Sequence, residues 1–234
     1  MNVICFGDSN TYGYDPRGYF GGRYDADSRW VDILAAESGW TVYNMGQNGR
    51  EIPAAAPTFP ADTDLLIVML GTNDLLQGQS PEQAAERLER FLSGISLNQN
   101  KILLIAPPPV ALGAWVPSQQ LIDDSHTFAR CCKVLTEHLG VRFADAGRWD
   151  IPLAYDGVHF TEQGHRAFAI YTGKALAPLP FVDGLRLLKS EIVLEISDCQ
   201  AAILPEPADI RPGSHGIDDR KLNHGHMDRL HSPG

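Results

Sequence analysis

"DLLIVML", residues 64–70, sets six apolar side chains in a row behind one aspartate. A strand with one face in water alternates apolar and polar residues. An unbroken apolar run fits a strand covered on both faces, as in a parallel sheet flanked by helices. "KILLIA" (101–106) reads the same way, and shorter apolar runs at 3–6, 41–45 and 141–144 bring the expected strands to five. Between them lie helical patterns. "SRWVDILAAESG" (28–39) places Trp30, Ile33 and Leu34 on one face and ends in glycine. "SPEQAAERLERFLSGI" (80–95) opens with Ser80 as cap, Pro81 in the first turn and Gln83 in the capping-box position. Residues 121–140 and 161–176 form two more helices, the last capped by Thr161. Strands alternating with helices predict a three-layer α/β/α sandwich around a five-stranded parallel sheet, with any site at the carboxyl ends of the strands.

The 234 residues suit one domain with an appendage, and 44% hydrophobic content is enough for a buried core. One folded domain is expected over 1–180 and an extension over 181–234. In the extension, "EIVLEISD" (191–198) reads as one more short strand. From about residue 205 the chain has too little apolar content to offset ordering and is expected to be disordered. The net charge is −10 with no Lys/Arg cluster, which argues against nucleic acid and anionic membranes as partners. No apolar run is long enough to span a bilayer, and residues 1–4 carry no secretory pattern. Cys5, Cys131, Cys132 and Cys199 form no CxxC pair, so thiols in a reducing cytoplasm are expected. His215, His224, His226 and His231 sit in the polar tail without cysteines or preset spacing, and no metal site is read there.

The strand ends carry the chemistry. After the first comes Gly7-Asp8-Ser9-Asn10, after the second "NMGQNG" (44–49), after the third Gly71-Thr72-Asn73-Asp74. Beyond the fifth lies "YDGVHF" (155–160). Each alone fits an ordinary turn. Together they supply what acyl transfer through serine requires: a nucleophile, a base, a carboxylate to orient the base, and donors for the oxyanion. Ser9 is the expected nucleophile, His159 the base and Asp156 its orienter. The expected oxyanion donors are the backbone N–H groups of Ser9 and Gly46 and the side-chain amide of Asn73. His165 is the runner-up base, while His126 and His138 read as helix-surface positions. Asp8 and Asp74 are expected to cap the segments that follow them, and Cys5 to be buried packing. Tyr12, Tyr14 and Trp115 are candidate substrate-pocket residues. The proline-rich stretch "APPPVALGAWVPSQQ" (106–120) is expected to cover the site, with Trp115 and Val116 closing over a bound group.

On "ICFGDSNTYGY", "RW" at 29–30, "IVMLGTND", "ILLIAPPP" and "FADAGRWDIPLAYDGVHFTEQGH", the chain resembles the GDSL, or SGNH, hydrolases over residues 1–178. It looks most like their intracellular bacterial arylesterase and acetylesterase branch. Those family letters fall on Ser9, Gly46, Asn73 and His159, and Asn10 stands where GDSL has leucine. The resemblance implies a flavodoxin-like sheet of order 2-1-3-4-5. It implies a serine esterase for small, acetyl-type esters of aryl, alkyl or carbohydrate alcohols, with no cofactor and no metal. A thioesterase or lysophospholipase of the same family is the alternative, and a non-catalytic ligand-binding module on this fold a third reading. The expected partner is a small acyl ester, with self-association into a homo-oligomer left open.

Overall fold

The computed structural model describes residues 1–18 and 22–176. The expected strand at 191–198 and the tail beyond 205 lie outside the described residues. Five parallel strands form one sheet: β1 (Asn2–Gly7), β2 (Thr41–Gly46), β3 (Leu65–Met69), β4 (Ile102–Ala106) and β5 (Arg142–Asp145), in the order β2-β1-β3-β4-β5. This is the 2-1-3-4-5 order expected. The registers run Gly7 beside Gly46 on one side and beside Met69 on the other, so the three carboxyl ends finish level. A short antiparallel ribbon pairs Tyr14–Asp15 with Gly22–Arg23.

The continuous apolar strands take the middle of the sheet for a physical reason. Every residue of β3 and β4 is buried, so both pleat faces must be apolar. On one face, Ile4, Phe6, Leu66, Val68, Ile102 and Leu104 pack with Ala84, Leu88, Phe91, Phe128 and Cys132. The alternate residues Val3, Cys5, Leu65, Ile67, Leu103 and Ile105 pack on the other face with Trp30, Leu34, Phe168 and Ala169. The first core is closed by α4 (Pro81–Ser93) and α5 (Gln119–Leu139), the second by α2 (Trp30–Ser38) and α6 (Glu162–Ala175). β2, at the edge, alternates exposed and half-buried residues instead.

The capping signals at residue 80 work as written: Ser80 Oγ accepts from Gln83 N, and Gln83 Oε1 accepts from Ser80 N. Thr161 caps α6 by accepting from Gly164 N. Two further helices are too short for periodicity to reveal: α1 (Ser9–Tyr12) and α3 (Thr72–Leu76). Each starts directly after a central strand.

Candidate active site

β1 ends at Gly7, and Asp8 caps α1 by accepting from Asn10 N at 3.0 Å. Ser9 is therefore the first helical residue beyond the sheet edge. Facing it is the segment after β5, in which Leu153 bridges to Phe160 and Ala154 N donates to His159 O at 2.7 Å. Within that loop Asp156 Oδ1 accepts from the backbone N–H of Val158 and of His159, both at 2.9 Å. Its Oδ2 lies 2.7 Å from His159 Nδ1, and His159 Nε2 lies 2.9 Å from Ser9 Oγ. A carboxylate can only accept, so Nδ1 carries the proton and Nε2 is left to accept from the Ser9 hydroxyl. Asp156 and His159 are 1% and 2% exposed, and Ser9 6%, which keeps the chain of contacts out of bulk water.

Burial alone would push the Asp156 carboxyl up. The hydrogen bonds from the His159 ring and from two backbone N–H groups outweigh it and hold the group below the usual carboxylate range. Asp8 is different. Burial raises its carboxyl to about 6 against the opposing Asn10 N–H and the nearby His159. The runner-up base, His165, is fully buried between Tyr24 and Phe160, and burial holds its imidazole down at about 3. Its ring nitrogens have no hydrogen-bond partner among the described residues. Cys5 lies inside β1 with its thiol pushed up by burial.

Asn73 sits on α3, and its Nδ2 donates to Arg50 O at 3.1 Å, which leaves the second amide N–H available. Gly46 is a correction. Its N–H is taken up by Asn44 Oδ1 at 2.9 Å, and a Cβ there would lie 2.0 Å from Tyr12 N. Gly46 lets the backbone of α1 rest on β2; it presents no free donor. The turn beyond it is organised by Arg50, a residue no motif singled out. The Arg50 guanidinium donates to Gly7 O and Met45 O and covers the Phe6 ring, tying the ends of β1 and β2 together. Asp74 is a second correction. It lies inside α3 rather than at its cap, fully buried, accepting from Ile52 N and paired with Arg87.

The aromatic candidates divide. Tyr14 contacts the His159 ring at 4.5 Å and Trp115 meets it edge-on at 4.9 Å. Tyr12 instead lies under the Arg23 guanidinium, turned to the ribbon. Trp115 is 51% exposed, whereas Val116 is buried with Val110 and Val158 in a small cluster under the loop, so only Trp115 is free to meet a ligand. The proline loop is stitched to the Asp156–His159 segment by three backbone bonds: Ala111 N to Gly157 O, Ala114 N to Tyr155 O, and Trp115 N to Asp156 O. Contact is backbone on backbone, since a Cβ at Gly113 or at Gly157 (φ +79°) would overlap the opposite chain.

A hydroxyl hydrogen-bonded to a carboxylate-oriented imidazole thus sits at the carboxyl edge of a parallel sheet, an arrangement suited to nucleophilic catalysis by serine. The profile of the GDSL-like Lipase/Acylhydrolase family matches residues 5–167, and the chain belongs to that family. It is a carboxylic ester hydrolase. Among solved structures it is similar to the native aryl esterase of M. smegmatis, at 27% identity and a TM-score of 0.64, over 76% of this chain and 99% of that one. The inhibitor-bound form of that aryl esterase matches at 26% identity and a TM-score of 0.65, with the same coverage. A carbohydrate acetylesterase from Sinorhizobium meliloti, at 22% identity and a TM-score of 0.63 over 76% of this chain and 99% of that one, shares the fold. No curated protein matches. Among the described residues, no helix is long and apolar enough to cross a membrane.

Proposed function

We propose that the protein hydrolyses small acyl esters, acetyl above all, of aryl, alkyl or carbohydrate alcohols through a Ser9–His159–Asp156 triad. The observation that carries this is the continuous line of contacts from Asp156 Oδ2 through His159 to Ser9 Oγ, at 2.7 and 2.9 Å. Ser9 Oγ attacks the acyl carbonyl as His159 Nε2 takes its proton, and Asp156 stabilises the imidazolium while keeping the ring oriented. The tetrahedral intermediate collapses to an acyl-serine, and the alcohol leaves with the proton from Nε2. Water, deprotonated by the same nitrogen, then releases the acid.

The Ser9 N–H and the second N–H of Asn73 are the donors for the oxyanion. A third comes from the turn after β2. Arg50 N closes it onto Gln47 O, Gly49 sits in it at φ +69°, and Arg50 O anchors it to Asn73. The Gly49 N–H has no partner among the described residues and replaces Gly46 in this role. Tyr14 and Trp115 flank the base and border the substrate. The aryl esterase neighbour supports an aryl or similar leaving group. The buried and half-buried thiols of Cys5, Cys131 and Cys132, free of disulfides, support a cytoplasmic setting.

Ser9→Ala tests the reading on p-nitrophenyl acetate. Turnover should fall by about 10⁴–10⁶ while the melting temperature stays put. A folded Ser9→Ala variant with near-normal turnover would end it.

A further inference from the structure

The hydrogen bond between Ser9 and His159 joins two side chains whose backbones come from opposite ends of the domain. Something must fix those backbones relative to each other, or the contact would be made only part of the time. The ties inside the His159 loop are local: Asp156 to Val158 and His159, and Ala154 to His159. They set the loop's shape; Tyr24 Oη to Phe160 O and Tyr155 Oη to Pro16 O tie it to the segment beyond α1 rather than to α1 itself. Asn10 spans the gap. Its Nδ2 donates to Val158 O at 3.1 Å, and its Oδ1 accepts from Phe160 N at 2.9 Å. Those are the two residues on either side of His159. The Asn10 backbone is held as well, its N–H by Asp8 Oδ1 at 3.0 Å and its carbonyl by Trp30 Nε1 at 3.1 Å. Asn10 is 5% exposed, and its side-chain amide meets partners on both sides.

We propose that Asn10 is a positioning residue: its side chain bridges the peptides flanking His159 and so keeps the base in register with Ser9. The inference rests on the triad reading above. A carboxamide carries a donor and an acceptor in one neutral plane, which matches a carbonyl and an N–H two residues apart. Leucine, the residue that the family letters place here, has neither. Without the bridge the loop keeps its internal bonds and its backbone bonds to the proline loop but loses its tie to α1, and a smaller fraction of molecules holds the geometry needed for attack.

The test uses the full chain with Asn10→Leu and Asn10→Asp, each also in a His159→Ala background, and Ser9→Ala as the reference. Hydrolysis of p-nitrophenyl acetate and thermal melting are measured on the same samples. Asn10→Leu should lower kcat by about 10- to 100-fold with KM within about threefold of the parent, the scale expected for a misplaced reacting group. In the His159→Ala background the same substitution should cost almost nothing more, because the group it positions is gone. A general weakening of the fold would subtract equally in both backgrounds. Should Asn10→Leu not fold, Asn10→Asp decides. It keeps the acceptor for Phe160 N, loses the donor to Val158 O, and should still lower kcat at least about fivefold in the parent alone. A folded Asn10 variant with kcat within about twofold of the parent, beside an inactive Ser9→Ala, overturns the proposal and leaves the triad intact. So does an equal loss in both backgrounds. An active Ser9→Ala would instead sink the triad reading, and the positioning role with it.

Discussion

Asp8 adjoins Ser9 and is 1% exposed, so its ionised form lacks most of its hydration. Its carboxyl is raised from 3.8 to about 6. Well below pH 4 it is protonated whether the chain is folded or unfolded and adds no pH dependence to stability. Between about pH 4 and 6 the unfolded chain gives up the proton first, so stability falls as pH rises, by on the order of 3 kcal/mol in total. Asparagine can keep the cap to Asn10 N without a charge. Asp8→Asn should therefore gain stability relative to the parent as pH rises through this window. Urea titrations at pH 4 and pH 7.5 measure it, and an identical difference at both would show that Asp8 titrates normally. Asn73 calls for a kinetic experiment. On the proposed mechanism its second N–H serves charge that develops only in the transition state, so Asn73→Ala should lower kcat by about 10²–10³ and leave KM much less affected. An effect confined to KM would move Asn73 from oxyanion stabilisation to substrate binding.

At the scale of elements, the loop between β4 and α5 leaves the same sheet edge as Ser9 and carries Pro107, Pro108 and Pro109. Bonded to the His159 segment and presenting Trp115, it makes a stiff apolar rim around the site. In a roomy groove each added methylene of the acyl chain would gain roughly 0.8 kcal/mol, and kcat/KM would climb with length. Against this rim, kcat/KM across p-nitrophenyl esters should peak at two to four carbons and fall beyond. A steady rise through eight carbons would show that the loop moves aside. The long elements were legible because they repeat a pattern: unbroken apolar runs for β3 and β4, a cap and a periodic face for α4. The misses were short or long-range. Four-residue α1 and five-residue α3 hold about one turn each, too little to show a period. Ser9, His159 and Asp156 could be picked by residue type after each strand. That Tyr14 rather than Tyr12 reaches His159, that Val116 is buried, and that the Gly46 N–H is occupied depend on contacts with distant segments, which neither composition nor spacing encodes.

Over the whole molecule, the sheet feeds alternate residues of β1, β3 and β4 into two separate cores, each closed by two helices. The family match ends at residue 167, within α6. Residues 205–234 carry little apolar side chain, so deleting them should leave esterase activity and melting temperature nearly unchanged. A drop of many degrees would mean that the tail packs against the domain. The backbone stitching of the proline loop to the Asp156–His159 segment bears on how such an enzyme can be altered. Lengthening the loop to admit a bulkier substrate would also drag on the segment that carries His159, so on the proposed mechanism pocket size and reactivity are inherited together. New specificities are then to be sought by exchanging side chains such as Trp115, which project from the shared scaffold, and not by inserting or deleting residues within it.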